Sequence, residues 1–255
     1  MRDKSVDSSG LFMPEPKVAM VTGSGRRLGA LVATDLAKRG WDVVIHCNKS
    51  RKEADRLAEV LRANQKVWVV EADLATLGGA ESLVEQMKPF SPSLVVHSAS
   101  LWTADNWWTA GLADWEENHR LQSWTAILLA RYLWEKGGGH LVTILDARSR
   151  DRDSQHFSYG FAKREMASLT RFLAAELAPS VRVNGLALGM VLKPEKMPSR
   201  EWTATAREST PLGRPGNASH VMKALAAVVG NPYLTGQILA VDGGRHLKGD
   251  LFGSI

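Results

Sequence analysis

Cysteine is almost absent: Cys47 is the only one in 255 residues. No intrachain disulfide framework is available, and the composition fits a reducing, cytoplasmic compartment. Long apolar runs are missing too. None approaches the roughly 20 residues needed to cross a bilayer, so no membrane partner is expected. The first residues, Met1-Arg2-Asp3-Lys4, lead into further polar positions without the apolar stretch of a signal peptide. The net charge is +5, but no basic stripe interleaved with aromatics accompanies it, and no nucleic-acid partner is expected. An anionic cofactor and substrate account for the surplus more simply. Internal repeats and a second-domain boundary are absent as well. Residues 1–16, polar and ending in Pro14 and Pro16, read as a flexible leader. Residues 17–255 read as a single domain. The chain is 44% hydrophobic, enough for a substantial core.

One stretch organises what is present. The apolar run Val18 to Val21 reads as a buried strand. It breaks into Thr22-Gly23-Ser24-Gly25-Arg26-Arg27-Leu28-Gly29, and a helical pattern runs on from Leu28 to Arg39. In a strand–glycine turn–helix unit, bare amides and the helix dipole face the turn and favour phosphate. Glycine lets the backbone approach such a ligand closely. The motif predicts a dinucleotide site.

A second absence bears on which dinucleotide. The next strand, Asp42 to Cys47, ends in His46-Cys47-Asn48-Lys49-Ser50-Arg51. A site for NAD usually places an acid there to hold the ribose 2′-hydroxyl. Here no acid is present. His46, Asn48, Lys49 and Ser50 offer donors and positive charge, with Arg26 and Arg27 in the turn, and such groups attract a 2′-phosphate. NADPH/NADP+ is therefore expected over NAD(H). Arg51 and Lys52 read as ordinary solvated residues.

Further strand–helix units follow. A helix from about Arg51 to Ala63 precedes the strand Val67 to Glu71. Asp73, just after it, suits either an adenine amino group or the cap of the next helix. Helix Gly79 to Lys88 leads to strand Leu94 to His97, then to Ser98-Ala99-Ser100-Leu101-Trp102, where small residues admit a flat ring. Four of the nine tryptophans fall between residues 102 and 115. Trp102, nearest the strand end, is read as a substrate-stacking residue. Trp107, Trp108 and Trp115 are read as packing against a neighbouring helix or subunit. A long helix, about Asp114 to Glu135, precedes strand His140 to Leu145, which delivers Asp146. Tyr159 and Lys163 stand one helical turn apart. A phenol of pKa about 10 is a poor acid at neutral pH, but a nearby ammonium favours its ionised form and suits it to proton exchange. After strand Val181 to Leu188, the proline-rich stretch 190–216 reads as a long excursion, a lid over the site. Helix Ala218 to Val229 and a strand ending at Val241 complete the pattern. Strands alternating with helices imply an α/β fold with one parallel sheet covered on both faces.

On these residues the chain resembles the short-chain dehydrogenase/reductase family from residue 17 to about 247. The motifs that carry the likeness are T-G-S-G-R-R-L-G at 22–29, Asp73-Leu74, S-A-S at 98–100, Y-G-F-A-K at 159–163, V-R-V-N at 181–184 and T-G-Q-I-L-A-V-D-G-G at 235–244. The resemblance implies a single Rossmann-type doubly wound domain with a seven-stranded parallel sheet, in a homotetramer. Within the family it is most similar to pteridine reductases and bacterial dihydromonapterin or dihydrofolate reductases. Arg27-Leu28-Gly29 stands in place of the usual glycine–hydrophobic–glycine. H-C-N-K-S at 46–50 looks like the cofactor loop of that subgroup. Ser100 and Trp102 stand where a serine and a stacking phenylalanine are found, and Asp146 replaces the usual catalytic serine.

The resemblance implies a phosphate turn of Gly23, Ser24, Gly25, Arg26, Leu28 and Gly29, and a 2′-phosphate grip of His46, Asn48, Lys49 and Ser50. It adds Asp73, Leu74, Ser98, Ala99, Ser100 and Gly189 to the cofactor contacts. Lys163 would bind the nicotinamide ribose and tune Tyr159. Asp146 and Tyr159 would deliver the proton, and Arg27 would face the pyrophosphate and a pterin or folate-like substrate lying on Trp102 beside Ser100. Gln122, where the family often has asparagine, and Leu188, where it has proline, depart from the pattern. A carbonyl reductase for a 3-oxoacyl thioester or small ketone is the alternative. A non-catalytic NADP(H) sensor stands behind it.

Overall fold

The computed structural model describes residues 17–150 and 154–248. The expected leader, residues 1–16, lies outside them.

Seven strands form one all-parallel sheet: β1 (Val18–Thr22), β2 (Asp42–Cys47), β3 (Val67–Glu71), β4 (Leu94–His97), β5 (Gly139–Asp146), β6 (Val181–Leu188) and β7 (Ile238–Val241). Their order is β3-β2-β1-β4-β5-β6-β7. All five residues of β1 are buried, as expected of a strand with both faces covered. Alternate side chains feed two cores. Val44, Val95 and Leu141 pack with helices α3 (Gly79–Met87), α5 (Thr125–Glu135) and α6 (Phe157–Glu176). Val43, Ile45, Val96 and Val142 pack on the other face with α1 (Arg27–Lys38), α2 (Arg51–Leu61) and α8 (Ala218–Gly230).

The strand order reverses at β1, which pairs with β2 on one side and β4 on the other. In a doubly wound sheet, ligands bind in the crevice beyond the carboxyl ends at such a reversal. Thr22, the last residue of β1, closes the floor of this crevice. Its hydroxyl oxygen accepts the amides of Ser98 and Ala99 at 2.9 and 3.0 Å. Its proton is then left for Nδ1 of His97, 2.8 Å away.

Two elements differ from expectation. The helix expected over 114–135 begins earlier, as α4 (Leu112–His119), and is interrupted by a π turn at Arg120–Trp124 before α5. Buried Gln122 sits in that turn, its Nε2 donating to Ser100 Oγ at 3.4 Å. The excursion 190–216 contains a regular helix, α7 (Ser199–Ser209), whose only buried side chain is Ala206. No helix among the described residues is long and apolar enough to cross a membrane.

Candidate active site

A cleft of about 640 Å³ opens at the carboxyl ends of the central strands. The sequence-predicted residues Gly23, Arg26, Arg27, Leu28, Gly29, His46, Asn48, Lys49, Ser50, Leu74, Ser98, Ala99, Ser100, Trp102, Asp146, Tyr159, Lys163 and Gly189 line it. Ser24, Gly25 and Asp73 do not.

The glycine turn is held tightly. A Cβ on Gly29 would collide with the carbonyl oxygen of Gly23, and one on Gly25 would collide with Ser50 Oγ. Without a side chain at Gly29 the helix start folds onto the turn, and without one at Gly25 the turn lies against Ser50. Arg26, at the head of α1, makes no side-chain cap bond, so amides of the first turn stay available to an anion. Arg27 has φ of 53°, the left-handed region that a non-glycine residue enters at a cost. The strain falls where the family usually has glycine. The Arg27 guanidinium reaches Glu195, beyond β6, at 3.6 Å.

Three sequence assignments need correction. Ser24 was expected in the phosphate turn, but its hydroxyl is buried, donating to the Val21 carbonyl at 2.6 Å and accepting the His46 amide at 3.0 Å. It joins β1 to β2 rather than facing the cleft. His46 was expected to grip a 2′-phosphate. Its Nδ1 instead accepts the Gly23 amide at 2.9 Å, and its Nε2 donates to the Ala72 carbonyl at 3.0 Å. Burial pushes its pKa down to about 4, so the ring is a neutral brace under the turn. Asp73 accepts the amide of Ala75 at 3.1 Å. That is a local Asx turn, and the cap of α3 is Gly78 rather than Asp73.

The chemistry gathers around Tyr159. Its hydroxyl donates to Oδ2 of Asp146 at 2.8 Å. Asp146 ends β5 and is paired there with Leu188 of β6, which fixes the carboxylate against the cleft wall. Lys163, buried on the same face of α6, donates to the Ile144 carbonyl at 2.7 Å, and its Nζ lies 5.7 Å from the Tyr159 ring centre. Burial lowers its pKa to about 8, with the Asp146 carboxylate opposing the shift.

Trp102 stands edge-on to the Tyr159 ring at 4.6 Å and 4.0 Å from the His156 ring. Trp107 and Trp108 contact each other but are 73% and 79% exposed. Among the described residues neither ring stacks on a ring of a neighbouring helix. Trp115 does, against Phe157 and Phe161 of α6.

Sequence reasoning missed Arg148. Its amide donates to Asp146 Oδ1 at 2.7 Å, its Nε lies 3.4 Å from the same oxygen, and its guanidinium sits 4.9 Å from the Trp102 ring centre. The spacing Asp-x-Arg just past a strand end was the available signal. Glu53, in the first turn of α2, was also missed and lines the cleft near Lys49 and Ser50.

The arrangement suits an elongated phosphorylated dinucleotide: tight glycine turn, uncapped helix start, hydrogen-bond donors of Asn48, Lys49 and Ser50 after β2, and a phenol–carboxylate–ammonium group opposite. Residues 23–246 match the family model described as Enoyl-(Acyl carrier protein) reductase. The chain belongs to the short-chain dehydrogenase/reductase family and is an oxidoreductase of that class. It is 30% identical to a putative ketoacyl reductase 2 of granaticin polyketide synthesis from Streptomyces violaceoruber, over 92% of this chain and 98% of that protein. A dihydromonapterin reductase from Citrobacter koseri is 26% identical over the same shares. Among solved structures, FolM alternative dihydrofolate reductase 1 from Brucella canis, complexed with NADP, superposes with a TM-score of 0.84. It is 31% identical, with 91% of this chain and 94% of that one covered.

Proposed function

We propose that this protein is an NADPH-dependent reductase of a pteridine, a dihydropterin or dihydrofolate-like ring. The observation that carries the reading is the 2.8 Å bond from the Tyr159 hydroxyl to Asp146, with Trp102 standing 4.6 Å away. The residues of the glycine turn, with Asn48, Lys49 and Ser50, hold NADP(H), and the FolM structure with NADP supports that choice. When bound, the cofactor supplies hydride.

The chain's own residues supply the proton. In the free protein the single Tyr159 hydroxyl proton is directed at Asp146, which holds the phenol at the cleft; on substrate binding the hydroxyl turns from the carboxylate and passes that proton to the ring nitrogen beside the reduced carbon. Lys163 stabilises the charge left on the phenol oxygen. Trp102 gives the flat ring an aromatic wall, and Arg148 secures both Trp102 and Asp146. A carboxylate beside the phenol suits a ring nitrogen, which accepts a proton and offers hydrogen bonds in return. We include in the proposal a homotetrameric, cytoplasmic enzyme.

A carbonyl reductase of the same fold is the second reading, favoured by the 30% identity to a putative ketoacyl reductase. One screen separates them. NADPH consumption is followed with dihydrobiopterin, dihydromonapterin, dihydrofolate and an acetoacetyl thioester. A pteridine should be turned over, and Tyr159→Phe should abolish that turnover while NADPH still binds. Turnover of the thioester alone would replace the proposal with the second reading.

A further inference from the structure

The helix that carries Tyr159 and Lys163 is capped from outside its own sequence neighbourhood. His156, the residue before α6, makes no side-chain cap bond. The cap is Asp105, on the segment that follows β4. Its Oδ1 and Oδ2 accept the Ser158 amide at 3.1 and 3.3 Å, and Oδ2 also accepts the Ser158 hydroxyl. The two backbones are joined as well. The Asp105 amide donates to the Gln155 carbonyl at 3.0 Å, and the Phe157 amide donates to the Asp105 carbonyl at 3.2 Å. Asp105 and His156 form an isolated parallel bridge.

This is a costly arrangement unless it is complete. Asp105 is 7% exposed and Ser158 is fully buried, and a carboxylate withdrawn from water needs its partners. At a helix start it finds them: free amides and the positive end of the helix dipole. Removing one side leaves the other unsatisfied.

The clamp joins two parts of the reaction site. Trp102 lies three residues before Asp105, and Tyr159 directly follows Ser158. The Trp102 ring touches both His156 and Tyr159. We propose that Asp105 is a positioning residue that locks the Trp102 segment to the first turn of α6, so that the stacking wall and the proton-donating phenol are set as one unit. The functional part of the inference rests on the reading of Tyr159 as proton donor; the clamp itself does not.

The test compares Asp105→Ala, Asp105→Asn and Ser158→Ala in the full chain, by amide hydrogen exchange and by steady-state kinetics with whichever substrate the wild type reduces. In Asp105→Ala, residues 101–110 and 156–162 should lose protection together while β5 keeps its own. The kcat should fall by about tenfold to a hundredfold, as expected when a reacting group loses its alignment, with the NADPH KM unchanged. Asp105→Asn, which keeps one acceptor oxygen, should recover part of both effects. Loosening of only one segment overturns the clamp. Joint loosening with an unchanged kcat overturns the positioning role. Exchange is measured without substrate, so a wild type that reduces none of the screened compounds leaves the clamp testable and points instead to the substrate reading. Should Asp105→Ala fail to fold, Ser158→Ala removes only the hydroxyl and should give a smaller joint loss. No joint loss there or in Asp105→Asn overturns the clamp.

Discussion

The amide of Gly23 donates to Nδ1 of His46 at 2.9 Å, so the phosphate turn rests on an imidazole rather than on solvent. That support requires an unprotonated Nδ1. Burial pushes the His46 pKa down to about 4, against about 6.5 in an unfolded chain. The folded state therefore prefers the neutral ring. Its contribution is complete above pH 6.5 and is lost as pH falls toward 4, on the order of 3 kcal/mol in total. His97, lowered to about 3, acts in the same direction. Denaturant unfolding at stepped pH should show stability falling across that window. His46→Asn, whose side-chain oxygen can still accept the Gly23 amide, should give a shallower slope, by up to one proton. Parallel slopes for the two proteins would show that His46 is not a titrating support.

Lys163 gives a prediction at the other end of the scale. Its pKa is lowered to about 8 by burial, so in the free protein the ammonium is lost as pH rises through that value. With it goes the charge that stabilises an ionised Tyr159. The pH profile of kcat/KM reports groups of the free enzyme, and it should decline on the alkaline side near pH 8. Lys163→Arg keeps its charge at any working pH, so whatever activity it retains should decline at a higher pH. A decline at the same pH in both proteins would assign the limb to another group.

The sheet was legible because its signal is local. The apolar run Val18 to Val21 and the glycine turn after it are contiguous, and they became β1 and the head of α1 with little change. The pairing of Tyr159 with Lys163 was legible for the same reason, since one helical turn is a fixed distance. Direction was not legible. His46 lies in a strand covered on both faces, where alternation does not distinguish the cleft from the fold, and its ring turned to Gly23 and Ala72. Ser24 is similar: its bond to Val21 is local, but serine in a glycine turn reads equally well as a phosphate donor. Asp105 left no trace, because its meaning depends on Ser158, far along the chain. The π turn that carries Gln122 leaves no mark in the sequence, whose pattern continues through it as ordinary helix.

Arg27 offers a direct separation of stability from function. Its φ of 53° costs on the order of 1 kcal/mol or more for a residue with a Cβ. Glycine at the same position would remove that strain while adding about 0.5–1 kcal/mol of backbone entropy. The ion pair with Glu195 contributes little in return, since Glu195 is 81% exposed at its side chain and such pairs are worth about 0–1 kcal/mol. Arg27→Gly should therefore leave thermal stability unchanged or slightly raised. Arg27→Ala, which keeps the Cβ and its strain, should be no more stable than the wild type. Both variants should bind NADPH about tenfold or more weakly, because a charged donor beside phosphate contributes about 1.5–3 kcal/mol. A glycine variant clearly less stable than the alanine variant would remove the strain argument. NADPH binding unchanged in both would remove Arg27 from the phosphate site and leave it as a surface partner of Glu195.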